Sequence, residues 1–337
     1  MRQLQPHVII NSRGGLSGDH HTVEQRIGTP QFDRPWEANR TLCTWWSWAP
    51  NDPMKSRQQC IQTLVRVVGG DGNFLLDVGP MPDGRIEPRQ VARLKEMGEW
   101  LRIYGSSLYA TRGGPFIPGA WGASTRKGNT IYLHVLSWPE DTITLPPIPN
   151  RIVRSTVMTG GTAQVKQTDE AIEISVPKAH QRELDTIIVL ELDGPASGIA
   201  PQPLPYSSLT AGERATASNT FQNPRSPHND PDLAVDDDLF TRWATDTGTK
   251  QAWLEVDLGK PTTFNRTQIS EEFRRVQEFE LQYKDGSEWK TFARGTGIGP
   301  DYSSQFESVT ARYVRLNILK ATDGPMIWEF QLYAPRK

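Results

Sequence analysis

The residues able to do chemistry gather at two places in this chain. Near its start, Glu24 lies in the Gly- and His-rich stretch GLSGDHHTVEQ, and Glu37 follows in DRPWEANR. Two carboxylates close in sequence are candidates for general acid and base work. By composition alone Glu24 reads as a solvated loop residue, and Glu37 as an ion-pair partner for Arg34 or Arg40. The run TWWSW then brings Trp45, Trp46 and Trp48 together. Indole faces hold sugar rings and equally fill cores; strand alternation would set Trp46 and Trp48 on one face and Trp45 on the other. His20 and His21 are adjacent, which is not a helical metal-ligand spacing, and read as loop residues. The second place is the acidic run Asp236–Asp237–Asp238 with Thr241 close behind. Carboxylate, hydroxyl and carbonyl oxygens are what Ca2+ prefers; the alternative is an acidic turn that is merely solvated.

Several elements must position these groups. Residues 7–10 (HVII) form a short apolar run that stops at Asn11 and Gly14, the pattern of a buried strand. Residues 56–68 place Cys60, Leu64, Val67 and Val68 at helical spacing, with Ser56 as N-cap. NFLLDV (73–78) is a second buried strand closed by Gly-Pro and Pro-Asp-Gly turn signals. EPRQVARLKEMGEWLRIYG then predicts an amphipathic helix with Val91, Leu94, Met97 and Leu101 on its apolar face and Gly105 as its cap. Strand and helix in alternation argue for βαβ units and a parallel sheet. From 114 to 195 the texture changes to short alternating runs (TIYLHVL, AIEISV, TIIVLEL) between turns, the signature of an antiparallel sandwich. Residues 194–208, GPASGIAPQPLPYSS, read as a linker with little to bury. Residues 213–337 are again short strands, WLEVDL, FELQYK and YVRLNIL among them.

Composition narrows the function classes. With 37 basic and 39 acidic residues in 337, the chain has no positive surplus to neutralise a nucleic-acid backbone. No apolar run approaches the roughly 18 residues of a membrane span, and MRQLQPHVIIN has no signal-peptide core. Cys43 and Cys60 are the two cysteines, which excludes a disulfide framework and an all-cysteine zinc site. Of 11 tryptophans, Trp46 is the one singled out below for a sugar contact.

Residues 74–112 (FLLDVGPMPDGRIEPRQVARLKEMGEWLRIYGSSLYATR) closely resemble the last strand and helix of the family 29 α-L-fucosidase barrel. Residues 33–52 resemble the family's preceding loop and strand, and NSRGG (11–15) followed by HTVEQ (21–25) resembles the segment carrying its fucose-contacting arginine and its acid/base glutamate. The ordered set spans about the first third of the chain. The resemblance implies that Glu24 is the acid/base, with Glu37 in reserve, that Arg13 hydrogen-bonds the sugar hydroxyls, and that Trp46 lies against the C6 methyl of fucose. Trp48 stands where the family usually has tyrosine. Ser12 replaces the usual Asp, Gly14 the usual Trp, and Cys43 stands where a small polar residue is commoner. Residues 213–337 resemble a discoidin-like domain of the factor five/eight C type. Relatives hold a structural Ca2+ at positions matching Asp236, Asp238, Thr241 and Glu329, and bury tryptophans matching Trp243 and Trp253.

The expected architecture is multidomain α/β plus all-β: residues 1–113 as the C-terminal half of a (β/α)8-like barrel, 114–195 as an antiparallel β-sandwich, 196–212 as a linker, and 213–337 as a discoidin-like jelly roll. The implied activity is that of a retaining exo-α-L-fucosidase acting on fucosylated glycans without a catalytic cofactor. The family nucleophile is an aspartate on an earlier barrel strand, and none of the 23 residues before Glu24 fits that role. The chain is therefore expected to have little or no activity alone, and to need a partner chain or second protomer to complete the barrel. The alternative is a non-catalytic carbohydrate-binding protein in which the discoidin-like domain acts. Localisation stays open, since any export signal would lie upstream.

Overall fold

The computed structural model describes residues 2–11, 18–138, 141–204, 207–222, 229–238 and 241–335. It divides into two units, Met1–Pro205 and Tyr206–Lys337.

In the first unit, β1 (His21–Glu24), β2 (Trp36–Thr41) and β3 (Asn73–Asp77) form a parallel sheet in that order. Helix α1 (Arg57–Gly69) connects β2 to β3, and α2 (Pro88–Tyr104) follows β3. Ser56 caps α1 as its sequence predicts. Its hydroxyl accepts from the Gln59 amide at 3.1 Å while the Gln59 side chain accepts from the Ser56 amide at 2.7 Å, so two otherwise orphaned donors are satisfied reciprocally. One face of the sheet packs on α1: Val23, Trp36, Ala38, Phe74 and Val67 share a cluster. Helix α2 buries Met97 and Trp100 rather than the whole predicted stripe, and Leu94 is 38% exposed.

Residues 7–10 do not form the strand that their apolar run predicts. Ile10 is tied to Asp19 by its amide, at 2.8 Å to the carboxylate, and by its carbonyl, which accepts from the Asp19 amide at 2.6 Å. Ile9 is left 76% exposed, because among the described residues no neighbouring strand supplies the ladder that an apolar run needs in order to be buried.

The sandwich comprises β4 (Arg112–Gly113), β5 (Gly122–Lys127), β6 (Thr130–Val135), β7 (Thr142–Leu145), β8 (Ile152–Val157), β9 (Gln164–Gln167), β10 (Ile172–Ser175) and β11 (Thr186–Leu192). Its two sheets run β4-β5-β6-β11-β8 and β7-β10-β9. It is continuous with the βα part through one core, in which Leu42, Cys60, Ile61, Met97 and Trp100 meet Ala123 and Ile187. A Cβ on Gly69 would stand 2.4 Å from that of Ala123, so only glycine lets α1 seat on β5. The stretch read as a linker is partly packed. Ala196, Ile199 and Leu204 are buried because the Arg126 guanidinium donates to the carbonyls of Ala196 and Ile199 and draws the chain onto the sandwich.

The second unit holds β12 (Arg214–Ala217), β13 (Trp243–Ala244), β14 (Ala252–Glu271), β15 (Val276–Asp285), β16 (Glu288–Gly295), β17 (Tyr302–Ala321) and β18 (Met326–Tyr333). They are ordered β13-β18-β14-β17-β15-β16, with β12 on β14. The long strands β14 and β17 change register between Asp257 and Thr262 and again between Phe264 and Arg266; such bulges bend a strand and let it serve both layers of a jelly roll. Trp243, Phe264, Phe279 and Phe330 fill the interior. Trp253, expected in the core, is half-buried on the outer side, where the Arg315 guanidinium lies 4.5 Å from its ring centroid and 3.9 Å from that of Trp289.

Candidate functional site

In a parallel sheet, residues in register share a face. Pairing Thr22 with Glu37 and Glu37 with Asn73, Glu24 with Asn39 and Asn39 with Leu75, and Thr41 with Asp77 puts all eight on the face turned away from α1. That face rises in layers, Thr22–Glu37–Asn73, then Glu24–Asn39–Leu75, then Thr41–Asp77. It is polar where the α1 face is apolar. Glu24 ends β1 at the carboxyl edge of the sheet, where α/β architectures carry their chemistry. Glu37 is second in β2, a layer deeper, and by alternation points away from the Arg40 side of its strand.

Local structure fixes the end of β1. Gln25 takes a positive φ of 56° and its amide donates to the Asn39 carbonyl at 2.8 Å. Its side chain donates to Thr41 Oγ1 at 3.1 Å and accepts from the Thr41 amide at 3.3 Å. The chain therefore turns immediately after Glu24 and is pinned to β2. Three buried polar atoms of the layered face, Thr22 Oγ1, Asn39 Oδ1 and Asp77 Oδ2, have no hydrogen-bond partner among the described residues. Burial pushes the Asp77 carboxyl above its ordinary value, which favours the neutral acid. Neither Asn39 nor Asp77 is singled out by the sequence. The only signal available is that each falls on the same alternation phase as a predicted strand's polar face.

The tryptophans lie beyond the strand. β2 stops at Thr41, and Asp52 accepts from the Thr44 and Trp45 amides at 3.0 and 3.1 Å, drawing residues 44–52 into a loop. Strand alternation therefore does not order Trp45, Trp46 and Trp48. Trp46 is 41% exposed, an open indole at the carboxyl end of the sheet. Trp48 is half-buried, donates its indole N–H to Glu87 at 3.1 Å, and lies under the loop after β3, where a Cβ on Gly79 would be 2.3 Å from the Trp48 amide nitrogen. Arg13, with Ser12 and Gly14, lies outside the described residues.

The acidic residues of the second unit do come together. Asp236 is half-buried beside the buried Asp238, and Thr241 Oγ1 lies 2.9 Å from its Oδ1 and 2.9 Å from the Asp238 carbonyl. The Asp238 amide donates to Asp236 at 3.0 Å, and Glu329, 1% exposed, is close enough to influence Asp236. Burial, and then the Asp238 carboxylate, push Asp236 up to about 7. Among the described residues no group of three His, Cys, Asp or Glu side chains is arranged to hold a metal ion by itself, so backbone oxygens such as those of Leu233 and Asp238 would have to complete any ligand set.

Both ends of the chain match known family models. Residues 1–106 match the α-L-fucosidase family model and residues 214–330 the F5/8 type C domain model. The α-L-fucosidase of Branchiostoma floridae is 32% identical over 135 residues, covering 37% of this chain and 29% of that protein. Human tissue α-L-fucosidase is 30% identical over 159 residues, covering 41% and 32%. The chain thus spans about a third of the length of the curated relatives it matches. Among solved structures, α-L-fucosidase isoenzyme 1 from Paenibacillus thiaminolyticus superposes with a TM-score of 0.50 at 28% identity, covering 57% of this chain and 52% of that one. An α-L-fucosidase from Bacteroides thetaiotaomicron, solved as a trapped covalent intermediate with 2-fluoro-fucosyl fluoride, gives 0.50 at 26%, covering 57% and 51%.

Proposed function

An α-L-fucosidase-like segment and an F5/8 type C domain share this chain, and from that premise we propose that it takes part in retaining hydrolysis of terminal α-L-fucosyl residues on glycans. The observation that supports this most directly is Glu24, at the carboxyl end of β1, on a polar sheet face that also carries Asn39 and Asp77. Glu24 protonates the glycosidic oxygen as it leaves, then takes a proton from water in the second step. Arg13 orients the ring through its fixed donors, and the exposed Trp46 offers an apolar wall to the C6 methyl. Trp48 lines the same rim.

The first step needs an ionised nucleophile about 5–5.5 Å from the acid/base. Asp77 lies two strands across from Glu24 and a layer further along, about 9–10 Å at the usual strand spacing. Glu37 lies one layer deeper than Glu24. The nucleophile is therefore supplied by strands other than β1–β3, and the 337 residues alone turn over little or no substrate. Purified chain should leave an aryl α-L-fucoside intact; combined with a polypeptide carrying the preceding barrel strands it should hydrolyse it, and Glu24→Gln should cut the rate by roughly 10²–10⁴. Turnover by the chain alone that is lost in Glu24→Gln would overturn the inactivity. A combined assembly unaffected by Glu24→Gln would overturn the assignment of the acid/base.

The same chain admits a second reading, favoured by the fully packed core of the second unit: a carbohydrate-binding protein without catalysis. Glycan-array binding by the full chain, with no hydrolysis even when combined with a polypeptide carrying further barrel strands, would establish it. In that unit we propose a structural Ca2+ near Asp236, held by oxygens drawn from Asp236, Asp238, Thr241 and Glu329 only together with backbone carbonyls such as those of Leu233 and Asp238, an oxygen-only set that suits a hard cation. The ion would supply the positive charge that lets buried carboxylates remain ionised.

A further inference from the structure

We propose that the buried pair His134–Asp185 is a proton-dependent latch between α1 and the sandwich, seating the first unit most firmly in mildly acidic medium. This goes beyond the hydrolase reading and does not depend on it.

The pair sits where the two layers of the first unit meet. His134 of β6 lies in register with Ala123 of β5 and Ile187 of β11, both members of the core that α1 and α2 share with the sandwich. Asp185 immediately precedes β11. Both side chains are wholly buried, and His134 Nδ1 lies 2.7 Å from Asp185 Oδ2. Their remaining polar atoms, His134 Nε2 and Asp185 Oδ1, have no hydrogen-bond partner among the described residues. The segment carrying Asp185 is tied to α1, because Gln62 Nε2 donates to the Leu184 carbonyl at 3.0 Å and to the Glu183 carbonyl at 3.4 Å. Helix α1, residues 183–185 and β6 are thus joined in series, and the imidazole–carboxylate contact is the last link. The sheet that bears Glu24 packs on α1 in turn.

The neighbours of this link carry little charge. On β6, Tyr132 shares the alternation phase of His134, and β5 and β11 set Thr125 and Val189 beside it. Helix α1 contributes Cys60 to the core, and burial pushes its thiol up, so it stays neutral. The charges acting on Cys60 are Arg93, Lys55, Arg40 and Glu96; Arg93 and Glu96 of α2 pair with each other. None of these acts on Asp185, whose one charged influence is His134. Arg182 and Glu183 are exposed.

A dry site tolerates net charge poorly. Imidazolium with carboxylate, or imidazole with carboxylic acid, is neutral overall, and each form holds one proton more than imidazole with carboxylate. Burial acts in the same sense, raising the Asp185 carboxyl above its ordinary value. The folded pair therefore keeps this proton. The unfolded chain holds it only between the ordinary Asp and His values, about 4 and 6.5. Below that window the unfolded chain binds a second proton, and above it none. Each pH unit beyond either limit should cost up to about ten-fold in the folding equilibrium.

The chain's two cysteines, Cys43 and Cys60, are free, buried and both in the first unit, so their labelling by a thiol reagent in denaturant reads that unit alone. Measured on the full chain against fully unfolded chain at each pH, the folding equilibrium should weaken roughly ten-fold from pH 6.5 to 8. His134→Gln combined with Asp185→Asn leaves a neutral pair and should weaken less than about two-fold over that range. Equal slopes in the two chains, or a flat wild-type profile, would overturn the proposal. If the doubly substituted chain does not fold, proton release decides. Calorimetric unfolding of the Asp236→Asn chain at pH 7.5, in buffers of different ionisation heat, should release about one proton, and release of none would overturn the latch. Neither assay reads hydrolysis, so failure here is separate from failure of the fucosidase reading.

Discussion

The parallel βα segment and the F5/8 type C unit are made from similar proportions of apolar residues but keep them differently. Of nine large hydrophobic side chains exposed among the described residues, seven (Leu4, Ile9, Trp46, Leu75, Leu94, Ile103 and Tyr109) lie within residues 1–113, and one, Phe273, lies in the second unit. The second unit returns its strands on one another so that every long strand finds partners, and its aromatic residues meet inside. Among the described residues the βα sheet has one face packed on α1 and another that keeps buried polar atoms without partners. The difference teaches that local regularity is not closure. Capping boxes, turns and helices form wherever their residues allow, whereas a parallel sheet is finished only by chain that comes from elsewhere.

Substitutions can break that contrast. Trp243→Ala, at a fully buried position, should cost the second unit about 3–5 kcal/mol in denaturant unfolding. Leu75→Ala, 41% exposed, should cost the first unit no more than about 0.5 kcal/mol. Equal costs would mean that the βα sheet is covered in solution.

The next effect comes from Asp236. Its carboxyl is raised to about 7 in the folded state, so the folded protein holds a proton that the unfolded chain releases near its ordinary value. Stability without divalent cation should therefore be fullest below about pH 4 and fall, on the order of a few kcal/mol, as pH rises to about 7. Thermal melts across that range should show the slope, Asp236→Asn should flatten it, and Ca2+ should restore stability selectively at the alkaline end. A flat profile in wild type would remove both the raised carboxyl and the reason for a cation there.

The smallest expected change is Ser56→Ala. It removes the capping box of α1 and should destabilise the first unit by about 1 kcal/mol, measurable as a lowered melting midpoint. A much larger loss would show that the βα segment depends on local helix stability more than on its core.

Much of this was legible beforehand. The α1 and α2 helices, the strand at 73–77 and the alternating strands of the sandwich all follow from near-neighbour spacing, which is carried by the residues themselves, while the resemblance of both ends rests on their motifs. What failed did so for non-local reasons. Residues 7–10 have a strand's composition but no ladder; residues 45–48 look like strand but are drawn into a loop by Asp52; residues 196–204 look like linker but are held down by Arg126. Each depends on a group distant in sequence or in its hydrogen bonding, which spacing does not encode.

The sequence by itself determined the helices α1 and α2 with the cap at Ser56 and the likeness of residues 1–106 and 214–330 to their family models, and by that likeness it offered Glu24 as acid/base candidate. Only the tertiary structure decided that Glu24, Asn39 and Asp77 share one face, and that Trp46 stands open while Trp48 is tethered to Glu87. The reason is physical. Propensity and capping act over a few residues, whereas register, face and edge are set by which distant strand comes to lie alongside.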